Sequence, residues 1–192
     1  MFCFYNFTTR TGGMPLLNFL NGVKNVNGDI SRINVNTSVD FASLSGSFIA
    51  GMGDFVNLFE PNATKLEEEG LGYVVGSIGQ LSGEIPYTAF YSRKSYIDDN
   101  KDTLIAFNNA INKGLDYVNN HSNEEVADVI IRQFPDTTLE EIAIIVGRYR
   151  NADTWLSNTT IMKESYRNLE DVMIDNDLLD EYVPFDKLVI NL

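Results

Sequence analysis

The sequence predicts an α/β chain whose C-terminal half is rich in helix. Over residues 1 to about 83, short strand-like apolar runs alternate with glycine-bounded helical stretches, the pattern of a parallel-type sheet. From Lys94 onward apolar residues recur almost continuously at helical spacing. A length of 192 residues, 44% apolar and 21% charged, is ample for a core and ordinary for a globular protein.

Taken in order, Phe2, Phe4, Tyr5 and Phe7 read as a first strand. Gly12 and Gly13 then give the backbone freedom for a sharp turn, and Pro15 stands where a helix begins, its missing N–H being no loss there. Leu16, Leu17, Phe19, Leu20 and Val23 continue that helix. Ile33, Val35 and Thr37 alternate with polar residues as in a half-buried strand. Phe41 to Ala50 reads as a helix of small residues stopped by Gly51 and Gly53. Phe55, Val56, Leu58 and Phe59 form an apolar run expected as a buried central strand. Ala63 to Glu69 is a short helix closed by Gly70, and Tyr73 to Ile78 a further strand.

Near residue 83 the character changes. Glu84 to Ser92 is expected to be extended, an edge strand or crossover because Pro86 lies inside it. Leu104, Phe107, Ala110, Ile111, Leu115 and Val118 place one stripe along a helix of about five turns. Ser122 with Glu125, and Thr138 with Glu141, match the reciprocal capping pattern at the start of an amphipathic run. Val126, Val129, Ile130 and Phe134 fill the first of these stripes, and Ile142, Ile145, Val146 and Tyr149 the second. Tyr166, Leu169, Val172 and Met173 mark a last helix. The shift at 83 divides the chain into residues 1–83 and residues 84–192.

A net charge of −13 opposes nucleic acid and anionic membrane surfaces, which carry the same sign. No apolar run approaches the ~20 residues that span a bilayer, and Met1 to Asn6 is too short, with no basic flank, for a signal peptide. Cys3 lies in an apolar strand-like run and reads as an inert buried thiol. His121 follows Asn119-Asn120 at a helix end, where the helix dipole favours it; it lacks a nearby nucleophile and metal-binding partners. Trp155 reads as a packing anchor. The acidic residues from Asp171 to Glu181 lack the glycine and terminal glutamate of a calcium loop and read as a solvated helix face. No Ser-His-Asp, Cys-His or metal constellation is present, so no catalytic residue, metal or cofactor is expected.

Three segments carry the functional reading: Arg10-Thr11-Gly12-Gly13-Met14-Pro15, Gly53-Asp54-Phe55-Val56-Asn57-Leu58-Phe59-Glu60-Pro61, and Gly83-Glu84-Ile85-Pro86-Tyr87-Thr88-Ala89. At Thr11-Gly12-Gly13-Met14 the free N–H groups of a helix start suit an anion, and Arg10 adds a charged donor. The competing reading is a structural turn with Arg10 solvated. Phe59 and Glu60 come at a strand end, where open α/β sheets place their ligand crevice. Phe59 suits a planar ligand and Glu60 an amino group, against a core phenylalanine and an acid favoured by a helix dipole. Tyr87 and Thr88 offer hydroxyls on the crossing segment, with edge packing as the alternative for Tyr87. Ser38, Asp40 and Phe41 fall where they can line the same wall.

In order and wording these segments, from about Thr8 to Val189, resemble the solute-binding proteins of bacterial ABC importers for nitrate, sulfonates, taurine and thiamine-precursor pyrimidines. The family's N-terminal portion has no counterpart in the chain, and Met1 to Tyr5 replaces the lysine-containing strand entrance expected of it. The resemblance implies type II periplasmic-binding-protein-like lobes, present in part. Residues 1–83 would form the central α/β lobe, and residues 84–192 the returning, mostly helical part of the first lobe. It further implies an inter-lobe cleft for a small anionic or planar solute, lined by Arg10, Thr11, Gly12, Gly13, Met14, Phe59, Glu60, Tyr87 and Thr88. A permease of the inner membrane and an extracytoplasmic location, periplasmic or anchored at the cell surface, go with it. The alternatives are a truncated remnant that binds nothing and a pyrimidine-processing enzyme of the same fold. With the first lobe incomplete, apolar helix faces are expected to be uncovered and to favour a homodimer.

Overall fold

A computed structural model describes residues 13–192 and, as backbone, the strand Phe4–Phe7. That strand, β1, lies between two parallel neighbours. It pairs with β2 (Ile33–Asn36) in the register Phe4 to Ile33 through Phe7 to Asn36. On its other side it pairs with β3 (Phe55–Val56), Asn6 opposite Phe55 and Phe7 opposite Val56. The order is therefore β2-β1-β3. The run around Phe55 is an edge strand and not the expected central one, because β1 takes the middle place; Phe55 and Phe59 are exposed in consequence.

Helix α1 (Met14–Asn25) links β1 to β2, with Gly13 as its N-cap and Pro15 in its first turn. α2 (Leu44–Ile49) follows a 3-10 turn at Phe41–Ser43, α3 (Asn62–Glu68) follows β3, and α4 (Ile78–Ser82) packs on α1. Gly22 makes that packing possible: a Cβ there would lie 3.1 Å from the Cβ of Leu81. Asn21 and Asn25 then donate from α1 to the carbonyls of Ser82 (2.7 Å) and Leu81 (3.0 Å).

The expected strand over Tyr73 to Ile78 does not form. Among the described residues no strand pairs with Tyr73–Ser77, the Val74 N–H donating instead to the Glu67 carboxylate at 3.2 Å, and Ile78 opens α4 behind the Ser77 cap. Alternation of apolar residues makes a strand only where a neighbour supplies the ladder, and Tyr73 and Val75 point into solvent. Glu84–Ser92 likewise forms no ladder among the described residues, with a bend at Glu84.

The second half is helical as read: α5 (Lys94–Asp99), α6 (Lys101–Asn120), α7 (Asn123–Ile130), α8 (Leu139–Asn151), α9 (Lys163–Asp175) and α10 (Phe185–Leu188). Both capping boxes are complete. Ser122 accepts from the Glu125 N–H while Glu125 accepts from the Ser122 N–H, and Thr138 and Glu141 do the same. α7 and α8 enclose the tightest core cluster: Val126, Ala127, Ile142 and Val146, flanked by Tyr117, Val118 and Trp155. Val129 and Phe134, expected in that stripe, are exposed, and no residue of α6 is fully buried.

Several helix ends share one device. α2 and α3 close with Gly51 (φ 79°) and Gly70 (φ 69°) in the left-handed region, as anticipated for glycine. α1, α8 and α9 use Asn27, Asp153 and Asp177 at the same place, with φ of 55°, 49° and 56°. In α8 the Asp153 N–H returns to Arg150 O and the Thr154 N–H to Tyr149 O, which satisfies two carbonyls of the last turn.

Candidate functional site

Because the chain runs from β1 to β2 on one side and reaches β3 on the other, the strand order reverses at β1. In open α/β sheets the crevice beyond the strand C-termini at such a point is where ligands enter. Three exits converge there: the start of α1 after β1, the loop after β2, and the loop 57–61 after β3.

At the first exit, Arg10, Thr11 and Gly12 lie outside the described residues. Gly13 has an extended backbone (φ −88°, ψ 154°), so the turn at that residue does not demand glycine. Its carbonyl accepts from the Leu16 and Leu17 N–H groups, at 3.1 Å each. Pro15 has no N–H, which leaves the Met14 amide as the remaining donor of the first turn. Asn57, the residue directly after β3, donates to the Pro15 carbonyl at 3.4 Å and ties the first exit to the third.

At the second exit, Asn36 closes β2 with a side-chain turn: its Oδ1 accepts from Ser38 N–H (2.8 Å) and Ser38 Oγ (2.7 Å). Asp40 precedes the 3-10 turn that presents Phe41, its carbonyl accepting from the Ser43 N–H at 2.8 Å. Phe41 meets Phe59 from the third exit at 5.7 Å between ring centroids, tilted by 52°. Phe59 in turn meets Tyr87 edge to face at 6.3 Å. The result is a row of three rings drawn from segments up to 46 positions apart in sequence (41 to 87), each about two-fifths to one-half exposed. Such a row offers π-faces and edges to a flat molecule. Thr88 is exposed beside Tyr87 on the same segment.

Behind the row stands a polar network. Glu60, joined to Pro61 by a cis peptide bond, places Oε1 3.2 Å from Arg148 Nη1 and accepts from the Thr64 N–H at 2.9 Å through Oε2. Arg148 also donates to Thr64 Oγ1 at 3.0 Å and to the Glu67 carboxylate. Both Glu60 oxygens are thus engaged within the protein, and its side chain is only 10% exposed. Tyr149, the next residue on α8, packs edge to face on Trp155 at 5.8 Å. Its phenol is pushed above the ordinary value by burial, with the Glu60 charge adding to the rise and a backbone hydrogen bond at Glu60 opposing it. The Tyr87 phenol is raised by burial first and by Tyr149 second.

Of the residues expected in the site, Phe59, Glu60 and Tyr87 come together here, and Gly13 and Met14 adjoin them through Asn57. Arg148, Tyr149, Thr64 and Glu67 were not anticipated. The signal available was Arg148, one of two arginines flanking the apolar stripe position Tyr149 on α8, with no acidic residue three or four places away inside the helix. The sequence reading of His121 as a helix-end residue fits its place as C-cap of α6, where its Nδ1 lies 2.9 Å from the Tyr117 carbonyl and its ring stacks on Tyr117. Among the described residues no three His, Cys, Asp or Glu side chains gather as for a metal, and no helix is long and apolar enough to cross a membrane.

No family model matches the chain, and no solved structure matches it. It is similar to "Putative binding protein YtlA" of Bacillus subtilis (strain 168), with 34% identity over 184 residues. The match covers 94% of this chain and 54% of that protein, so the chain spans about half the length of this relative.

Proposed function

We propose that the chain is the substrate-binding component of an ABC importer, taking a small anionic or planar solute in the crevice beyond β1 and β3. The observation that carries this reading is the Phe59–Tyr87 contact, which brings the strand-end loop and the crossing segment to one wall. A relative named as a binding protein supports it. Phe59 and Phe41 would flank a flat group, Tyr87 and Thr88 would hydrogen-bond it, and the Met14 amide at the helix start would meet an anionic oxygen. Glu60 would act mainly by fixing Phe59, since its oxygens are already occupied by Arg148 and Thr64. Residues 1–83 and 84–192 would be two lobes, with the solute handed to a membrane permease outside the cytoplasm. Ligand contacts across the lobes would favour a closed state, with no bond made or broken.

A remnant that binds nothing is the second reading. One experiment separates them: thermal melts against taurine, alkanesulfonates, nitrate, aromatic carboxylates and aminopyrimidines. A solute at ~100 times its dissociation constant adds ~2.7 kcal/mol, several degrees of shift at this size. A shift with one class that is lost in Phe59→Ala and Tyr87→Phe supports the binding reading. A cooperative melt unmoved by every class supports the remnant.

A further inference from the structure

The chain carries two Asn-Gly pairs, Asn21-Gly22 and Asn27-Gly28, six positions apart. An asparagine before glycine is the pair most prone to lose its side-chain amide, because the glycine nitrogen has no Cβ beside it to hinder attack. The two pairs sit in opposite settings. Asn21 lies inside α1, and its Nδ2, the atom that would leave, donates to the Ser82 carbonyl at 2.7 Å. Gly22 is buried against Leu81 of α4. Asn27 lies past the end of α1 in the left-handed region, with φ of 55°, and its side chain makes no hydrogen bond among the described residues.

We propose that Asn27 is a site of spontaneous modification, converting to aspartate and isoaspartate without an enzyme, and that the fold protects Asn21 from the same reaction. In the first step the Gly28 nitrogen gives up its proton and attacks Asn27 Cγ. Nδ2 leaves as ammonia, and a five-membered imide closes. Water then opens the ring. Attack at Cγ leaves aspartate, whereas attack at the main-chain carbonyl leaves isoaspartate, whose chain runs on through the former side chain. One water enters and one ammonia departs, so the solvent is the whole of the co-reactant.

The reaction needs the Gly28 N–H released and the Asn27 backbone turned. Gly28 N–H is held by the Val23 carbonyl at 2.8 Å, and Asn27 N–H by Lys24 at 2.9 Å, both bonds belonging to the helix end. Such ends open at almost no cost, whereas packed elements open only at a cost approaching that of global unfolding. Freeing Gly22 means lifting α1 from α4, since a Cβ on Gly22 would already lie 3.1 Å from that of Leu81. Glycine at 28 is itself required: a Cβ there would lie 2.9 Å from both Val23 Cγ1 and the Val23 carbonyl oxygen. The left-handed residue before it suits asparagine, so the cap selects the reactive pair. Conversion puts a negative charge at the C-terminal end of α1, where the helix dipole opposes it. The new carboxylate also stands three residues from Lys24, whose ammonium pairs with Asp175 of α9. It therefore competes for the tie between α1 and α9, and isoaspartate in addition moves Gly28 N–H away from Val23.

Trypsin separates the two pairs for the test. Cutting after Arg10, Lys24 and Arg32 gives one peptide of residues 11–24 with Asn21-Gly22 and another of residues 25–32 with Asn27-Gly28. The whole folded chain is kept in mildly alkaline buffer, sampled over days, digested briefly and read by mass spectrometry with fragmentation to place the change. Peptide 25–32 is expected to gain an acid at Asn27 at least ~10-fold faster than peptide 11–24 gains one at Asn21. In urea, with the fold gone, the two should convert at similar rates. Asn27→Gly retains the left-handed cap, as Gly51 and Gly70 do elsewhere, and should abolish the conversion in peptide 25–32 without lowering the melt. Asn27→Asp, the simpler product, should melt below the parent, and equal melts would overturn the claim that conversion loosens α1 from α9. A folded chain whose two peptides convert together overturns the proposal. So does one in which Asn27 keeps its amide while the unfolded chain loses it.

Discussion

Arg148 fastens α8 to the loop that carries Phe59, and removing it has a calculable cost. The guanidinium makes two bonds at 3.2 and 3.0 Å, to Glu60 and Thr64, and a further one to Glu67. Its side chain is 27% exposed and that of Glu60 10%, a setting between a surface pair and a buried one. Breaking a buried pair costs ~3–5 kcal/mol because the surviving charge is stranded, whereas a surface pair contributes ~0–1 kcal/mol. For Arg148→Met, which keeps the packing of the stem, the expected loss is ~2–3 kcal/mol, or ~5–10 °C at this chain length. Glu60→Gln alone should lose less, because its amide oxygen still accepts from Thr64, and combining it with Arg148→Met should recover part of the loss. Urea unfolding of the four proteins gives the coupling energy, expected at ~1–2 kcal/mol. An Arg148→Met variant within ~0.5 kcal/mol of the parent, or a coupling of zero, would show that the network is incidental and that Phe59 is held by something else.

Other expectations rest on single elements. Thr138→Ala and Ser122→Ala should each lose ~1 kcal/mol in urea midpoints, since each removes a cap that receives an N–H at 3.2 Å. Gly70→Ala should lose ~1 kcal/mol although a Cβ there meets nothing within 4 Å, because the cost is in the positive φ alone; Asp177→Gly should gain a similar amount. Melts across pH 9–11.5 should show stability falling at the alkaline end. Tyr87 and Tyr149 have folded values raised above 10 by burial, so their contribution is complete below pH 10 and lost as pH climbs through those raised values. Lys24, raised above 10.5 chiefly by its hydrogen bond to Asp175, works in the same direction. Tyrosine absorbance near 295 nm should titrate late for Tyr87 and Tyr149, and a titration in which all nine tyrosines ionise together near pH 10 would count against this reading.

What was legible in the sequence was what is decided locally. Ser122 with Glu125 and Thr138 with Glu141 announce helix starts because donor and acceptor lie three residues apart, and both boxes form as read. Glycine stops at Gly51 and Gly70 were equally plain. Asn27, Asp153 and Asp177 escaped notice because a left-handed cap was expected only from glycine, although Asn and Asp tolerate that region better than other residues do. Strands were less legible. Tyr73–Ile78 and Phe55–Val56 have similar apolar content, yet only the second finds a neighbour, β1, nearly fifty residues away. Pairing is non-local, and alternation reports only that a segment is able to pair. The site divides along the same line. Phe59, Glu60 and Tyr87 could be picked from turns and strand ends, whereas Arg148 reaches Glu60 across 88 residues and has no local signature.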